Sequence, residues 1–261
     1  MKNKFIVGVL SVCLLLPCLL TACSKESNDE LKNIRERGIL RVGVKVDVQR
    51  FGYLNTDTNT MEGMEIDIAH AIAKDILGNS DAVRFANITA QTRGPMLDNG
   101  EIDLVIATFT ITEERKQSFL FSRPYYTDEL GYLVRSDDSV TNPKELNGKT
   151  VGVSQSSTAK TAFEDECVRL GIEVEFREYP SYPEVKSALA NGKVDVFITD
   201  KSILYSYLDD GCMLLDDGFN PQQYGIAGKL GNNKLADRVD SLLDTMEKNG
   251  ELAAILEKWE L

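Results

Sequence analysis

The sequence predicts an α/β protein built of two similar lobes, and three observations lead there. Apolar, strand-like runs alternate with amphipathic helical stretches, the order of a parallel sheet with helices on its faces. The alternation then starts again. RGPMLDNGEIDLVIATF (93–109) and YPEVKSALANGKVDVFITD (182–200) share one outline: a short helix, an Asn-Gly stop, and a strand that opens with aspartate. The last stretch, NKLADRVDSLLDTMEKNGELAAILEKWEL (233–261), carries two helical patterns and no strand of its own. It must therefore pack on a lobe already formed.

Taken in order, LKNIRERG (31–38) is a short helix stopped by Gly38. ILRVGVKV (39–46) is a strand apolar on both faces, as in a covered parallel sheet. FGYLNTDTNTMEG (51–63) holds a turn rich in Asn and Asp. MEIDIAHAIAKDIL (64–77) places Ile66, Ala69, Ile72, Ala73 and Ile76 on one helical face. Glu65 and Asp67 near its start suit the positive end of a helix. AVRFANI is a strand, RGPMLDNG a short helix ended by Gly100, and IDLVIATF another apolar strand. In the second half NPKELNG is a turn and short helix, KTVGVS a strand, and STAKTAFEDECVRLG a helix. IEVEFREY, PEVKSALANG and VDVFIT follow as strand, helix and strand, and DKSILYSYLDDG is a further helix. Trp259 is expected to anchor the helical tail in an apolar groove of the first lobe. That return makes the first lobe discontinuous, with crossings expected near 131–136 and 219–228.

The first residues differ from the rest. Lys2 and Lys4 precede FIVGVLSVCLLLPCLL, and small residues follow: the plan of a secretory signal over residues 1–22. The apolar run is short for a spanning helix and contains Pro17. Leu20-Thr21-Ala22-Cys23 resembles the lipobox of bacterial lipoproteins, which implies an acylated Cys23 at the new N-terminus. Residues 23–36 then serve as a polar tether, and the lipid holds the protein at the outer face of the cell membrane. The remaining residues divide into a first lobe at 37–131, a second at 132–223, and a C-terminal return to the first at 224–261.

Charge and composition exclude several classes. The net charge of −12 moves to −14 once Lys2 and Lys4 leave with the signal. So acidic a protein repels phosphates, which argues against a nucleic-acid partner. Cys167 and Cys212 remain after processing and read equally as a disulfide pair or as two buried thiols. His70 is the one histidine and falls in a helical stretch. A His-centred metal site or catalytic triad is therefore not expected, and neither is a cofactor.

Ligands of open α/β sheets bind beyond the carboxyl ends of the strands. Three such ends carry suitable residues. IDLVIATF ends at Thr108 and Phe109; Thr110 and Thr112 follow, then Glu113 and Glu114, a helix start with Thr112 as cap. Arg115 in that first turn opposes the helix dipole. By charge pattern alone it reads as a solvated arginine paired to Glu113 or Glu114; a bound carboxylate is the other explanation. GVSQSSTAK leads from a strand into Ser156, Ser157 and Thr158, a second helix start that serves either as an ordinary cap or as an anion site. Asp200 directly follows the strand VDVFIT, where it is an N-cap or a partner for an ammonium. Taken together, an arginine and two helix starts beside an aspartate describe a site for an α-amino acid.

From Leu31 to Leu261 the chain resembles the family 3 solute-binding proteins of bacterial ABC importers for polar amino acids. GMEIDIAHAIAKDI is similar to the family signature, with Met64 where Phe, Tyr, Ile or Leu is usual, and TFTITEERKQSFLFSRPYY resembles its most specific stretch. The resemblance implies a periplasmic-binding-protein-like type II fold, two α/β lobes with a hinge and an interlobe ligand cleft. It implies a monomer that gives its ligand to an ABC permease and its ATPase. On matching positions, Arg115 clamps the α-carboxylate with the N–H of Thr110 and with Ser157 and Thr158. Asp200 takes the α-ammonium, with Thr108 contributing.

Departures from the family pattern bear on the ligand. Val48 and Ala90 stand where binders of basic amino acids carry aromatics, and Phe51 is expected to line the cleft mouth instead. Ser156 replaces a usual glycine. Arg93 stands where acidic-amino-acid binders carry an arginine for the side-chain carboxylate, so glutamate or aspartate is expected; a neutral polar or sulfur amino acid such as glutamine, cysteine or cystine is the alternative. Arg50 is a further candidate cation at the cleft mouth. Tyr179, Tyr182, Tyr205 and Tyr207 read as packing residues, with Tyr182 the one nearest to a ligand role. Two rivals belong to other classes. An exported cyclohexadienyl dehydratase shares the fold but needs a general acid in the cleft. A sensor domain needs a spanning helix or a fused signalling domain, and neither is seen before Leu261.

Overall fold

The computed structural model describes residues 29–261. The expected signal segment, the lipidation site Cys23 and the first residues of the tether lie outside them. Helix α1 (Glu30–Arg37) is capped by Asp29 and stopped by Gly38 in the left-handed region. Strand β1 (Leu40–Val44) leads to a small sheet of β2 (Asp47–Val48), β3 (Gly52–Asn55) and β4 (Thr60–Glu62), where the sequence indicated only a turn. Then come α2 (Met64–Leu77), β5 (Val83–Asn87), α3 (Arg93–Asp98) and β6 (Leu104–Val105). The long strand β7 (Phe119–Arg135) follows a 3-10 turn at Arg115–Gln117. Thereafter β8 (Thr150–Ser154), α4 (Ala159–Leu170), β9 (Glu175–Tyr179), α5 (Tyr182–Ala190), β10 (Val196–Asp200) and the short α6 (Lys201–Tyr205) alternate. The chain closes with β11 (Cys212–Leu214), β12 (Phe219–Lys229), α7 (Asn233–Asn249) and α8 (Glu251–Lys258).

The main sheet runs β5-β1-β6-β12-β7-β10-β8-β9, with β11 beside β7. It is one pattern used twice. On one side β5, β1 and β6 are parallel and β12 joins them antiparallel. On the other side β9, β8 and β10 are parallel and β7 joins them antiparallel. The aspartate that opens the third strand of each half does the same work in both. Asp103 accepts the N–H of Arg41 at 2.8 Å, and Asp195 accepts that of Thr150 at 2.8 Å. The repeat read from the sequence is therefore a repeat of hydrogen bonding as well.

Strands β7 and β12 are the crossings. They pair antiparallel along their length, from Phe219 opposite Leu130 to Lys229 opposite Phe119. Leu130 and Gly131 already pair with Asp200 and Thr199 in the second half of the sheet. The first crossing thus lies before 131, earlier than the sequence placed it, and both crossings are strands rather than connecting loops. FLFSRPYY had no strand assigned because Pro124 and the charged residues around it mask the alternation; register shifts near Tyr224 and Gly225 accommodate it.

The helical tail returns to the first half. Leu235, Val239, Leu243 and Met246 bury one face of α7. Arg123 on β7 binds Asp244 and Glu247 of α7 at 2.9 and 3.0 Å. The Trp259 indole N–H donates to Asp67 at 2.8 Å while the ring packs on the core around α2. No helix among the described residues is long and apolar enough to cross a membrane. Cys167 and Cys212 are both buried and free, which answers the question their spacing left open.

Gly63 fixes the entry to α2. Its φ is 128°, and a Cβ there would lie 2.0 Å from the Phe51 carbonyl oxygen. The carbonyls of Arg50 and Phe51 accept the first N–H groups of the helix, from Met64 and Glu65 at 2.7 and 3.0 Å. Gly63→Ala must break this seat. The expected cost is roughly 2–4 kcal/mol, seen as a melting temperature lower by about 5–10 °C; a variant that melts with the wild type would refute the account.

Candidate functional site

The carboxyl ends of β1, β6, β8 and β10 converge beside the crossings, as parallel halves require. Lys45 follows β1, Thr108 to Thr110 follow β6, Ser156 to Thr158 follow β8, and Asp200 ends β10. Arg93 opens α3 and Tyr182 opens α5.

The ring of Phe109 carries two guanidiniums. Cζ of Arg93 lies 3.7 Å from its centroid and that of Arg115 lies 4.8 Å away. Such contacts hold a cation over an apolar surface without neutralising it. Arg93 is 6% exposed, and neither arginine has a carboxylate partner among the described residues. Arg115 donates to the Thr110 carbonyl at 2.8 Å and to the Ser156 carbonyl at 3.1 Å. Of its two candidate surface partners, Glu113 binds Lys116 instead at 2.7 Å, and Glu114 acts on Arg115 only through its charge, which draws the guanidinium upward. Burial, with repulsion from Arg115, pulls Arg93 down to about 9, and burial lowers Arg115 as well. Both guanidiniums are drawn back up by Tyr182 and Asp200, which places all four groups in one electrostatic neighbourhood.

Asp200 is 5% exposed. One carboxylate oxygen accepts from the Thr199 hydroxyl at 3.2 Å, and the other is buried without a partner. Burial, with Asp128 as a like-charged neighbour, pushes it up to about 7. The Thr108 hydroxyl is also buried and unpartnered. Lys45, 4% exposed, pairs with Asp47 at 3.1 Å and sits 4.5 Å above the Tyr182 ring.

Contacts that join the two halves of the molecule include Arg115 to Ser156, Lys45 to Tyr182, and the Tyr207 hydroxyl to Asp47 at 2.9 Å. The halves are closed on each other. A groove of about 640 Å³ opens beside Arg115, between Thr110 and the start of α4 at Ser157 and Thr158.

Of the expected site residues, Arg115, Thr110, Thr108, Arg93, Asp200, Ser157 and Thr158 are brought to this region. Several details differ from expectation. Only a 3-10 turn follows Thr112, whose hydroxyl accepts the Arg115 N–H at 3.1 Å, so no α-helix N-terminus faces the site from that side. The Ser157 hydroxyl donates to the Ser154 carbonyl at 2.7 Å, and that of Thr158 to Gln222 at 2.8 Å. Phe51 does not line the cleft mouth. It is fully buried, packed edge-on against Tyr126 and Tyr224 at 5.2 and 6.0 Å. The turn that seats α2 pulls its backbone inward, and the ring follows. Arg50 is held outside by Glu260 at 3.0 Å. Sequence reading missed Lys45, Glu65, Phe109 and Tyr125. Lys45 was detectable, as a lone charge directly after an apolar parallel strand; Phe109 carried no signal of its own.

Two lobes of repeated topology, joined by paired strands and closed over buried unpaired charges, define a binding protein rather than a scaffold. The family model for bacterial extracellular solute-binding proteins, family 3, matches residues 40–166. A glutamine-binding protein of an ABC transporter in Bacillus subtilis (strain 168) is 35% identical, spanning 99% of this chain and 97% of its own length. A glutamine-binding protein of Geobacillus stearothermophilus is 39% identical over 75% of this chain and 74% of its own. Among solved structures, an ancestral arginine-binding protein bound to glutamine is similar at a TM-score of 0.75 and 34% identity, covering 85% of this chain and 98% of that one. The chain belongs to the bacterial extracellular solute-binding proteins, family 3, and its relatives are named for binding and transport rather than catalysis.

Asp200 gives the ligand-free protein a testable pH dependence. Its folded value, about 7, lies above the ordinary 3.8. The associated stability is complete below the ordinary value and is lost as pH rises through about 7. Asp200→Asn removes the buried charge. Its stabilising effect over wild type, measured by urea unfolding without ligand, should grow between pH 4.5 and pH 8, by an amount on the order of 3 kcal/mol. An effect that is constant with pH would refute the assignment.

Proposed function

We propose that the protein captures a free polar α-amino acid between its lobes and delivers it to the permease and ATPase of an ABC importer, with glutamine as the leading ligand. The observation that carries this reading is the pairing of opposite deficits. Arg93 and Arg115 are cations without a carboxylate partner among the described residues, and Asp200 is a buried carboxylate with an oxygen unpaired. An α-amino acid supplies one carboxylate and one ammonium, each where the other sign waits. In this reading Arg115, the Thr110 N–H and the start of α4 at Ser157 and Thr158 take the α-carboxylate. Asp200 and Thr108 take the α-ammonium.

Arg93 and Lys45 are left for the side chain. Both are donors, so they suit an oxygen at its end. The names of the two curated relatives favour a carboxamide, and glutamine was the alternative that the sequence left open. Glutamate is the second reading, favoured by the unneutralised charge of Arg93 itself. The division into lobes follows the sheet: the halves exchange along Tyr126 to Glu129 on β7 and Gln222 to Tyr224 on β12, and these strands bend as the cleft opens. Export and a lipid anchor at Cys23 complete the proposal, with the monomer as the working unit.

Four measurements test it. Glutamine or glutamate should raise the melting temperature, as any ligand of the folded state does. Arg115→Ala leaves the ligand carboxylate buried and unmatched, which costs about 3–5 kcal/mol. Calorimetry should therefore show binding weakened by more than about a hundredfold, and a change within tenfold would sink the clamp. Arg93→Ala should weaken glutamate more than glutamine; equal losses would remove Arg93 from selectivity. Finally, Cys23→Ala expressed in a bacterial host should abolish incorporation of labelled palmitate and release the protein from membranes, and continued labelling would exclude that cysteine.

A further inference from the structure

The segment after β6 is held in an unusual conformation. Thr108 has a φ of 42°, a left-handed value that costs a β-branched residue energy and that glycine adopts freely. Something must keep it there. The Thr108 N–H donates to Oε1 of Glu65 at 2.6 Å, and the Tyr125 hydroxyl donates to the same oxygen at 2.5 Å. Glu65 is wholly buried in the first turn of α2, and that turn is itself seated on the carbonyls of Arg50 and Phe51. The far end of the segment is tied to the crossing strand: Gly225 donates to the Phe109 carbonyl at 3.0 Å and Ile111 to that of Gln223 at 2.8 Å. The ligand-facing run 108–110 is therefore pinned at one end by a carboxyl group and at the other by β12.

We infer that Glu65 is a positioning residue for ligand binding: by accepting the Thr108 N–H it fixes that peptide in its left-handed state, which aims the Thr108 hydroxyl into the cleft and sets Phe109 under both guanidiniums. The inference rests on the proposed reading of the cleft as an amino-acid site. Glu65 touches no ligand in this scheme. Its effect passes through one backbone conformation, and this separates it from two other roles. A residue that merely balances the charge of Lys45 and Arg93 acts through its negative charge. A residue that merely supports the core acts on stability and leaves the affinity of folded protein unchanged.

A double-mutant cycle with calorimetry, using glutamine and glutamate as probes, distinguishes these. Glu65→Met fills the space without an acceptor and should weaken binding by at least about tenfold in the otherwise wild-type chain. Thr108→Gly supplies the left-handed residue without restraint. In that background Glu65→Met should cost less than about threefold. Glu65→Gln keeps an acceptor oxygen and loses the charge; it should bind within about threefold of wild type and serves as the second variant if Glu65→Met does not fold. Equal losses on Glu65→Met in both backgrounds, a lowered melting temperature with unchanged affinity, or a folded Glu65→Gln that binds tenfold more weakly would each overturn the inference. Wild-type protein that binds neither amino acid would instead overturn the functional reading, and the inference with it.

Discussion

A buried charge without a counter-charge is the constraint on which the molecule turns. Moving an ion out of water costs several kcal/mol even after the surroundings relax. Here Arg93 and Asp200 are buried and share one cleft with the partly buried Arg115, and desolvation shifts each toward its neutral form. The arginines and the aspartate do not satisfy one another, because they are carried by separate strand ends and helix starts that the two sheet halves hold apart. Phe109 gives the guanidiniums an apolar surface to lie on, not a partner. The fold is thus stressed at the cleft between the lobes, and rigidity elsewhere is what keeps the stress from relaxing away.

That rigidity comes from repetition. Each half orders its parallel strands second, first, third, with an antiparallel strand borrowed from the crossing. Each fixes its third strand by an aspartate bonded to the first. The geometry delivers Thr108 and Asp200 to equivalent places, one just past the end of β6 and one at the end of β10. The first is braced by Glu65. The second is left with an open oxygen. Equivalent positions in the repeat have taken different tasks, and the cleft lies where the two ends meet.

The repeat and the strand-helix alternation were legible because apolar periodicity and Asn-Gly stops are local signals. Strand ends also marked Arg115, Thr110, Thr108 and Asp200 as candidates, and the structure brings these residues to one region. Arg93 needed the family resemblance, since a charge at a helix start has many local explanations. What stayed hidden depends on contacts far apart in the chain. Glu65 looked like a residue complementing a helix dipole, and its bonds to Thr108 and Tyr125 span 43 and 60 residues. Phe51 was expected at the cleft mouth, but the turn at Gly63 draws it into the core. The crossing strands were obscured for a similar reason: their partners are each other, and Pro124 breaks the alternation that would have marked them.

The paired crossing has a mechanical consequence. Two strands bonded along their length act as a ribbon, easily flexed across its flat face and stiff against shear along its axis. The ladder between β7 and β12 is interrupted on both sides of Gln222 to Tyr224, so flexure concentrates over a few residues and sacrifices few hydrogen bonds. Opening then follows essentially one coordinate. The lobes cannot slide past each other into a mismatched closure, so a partner surface that spans both lobes can register open from closed by a single angle.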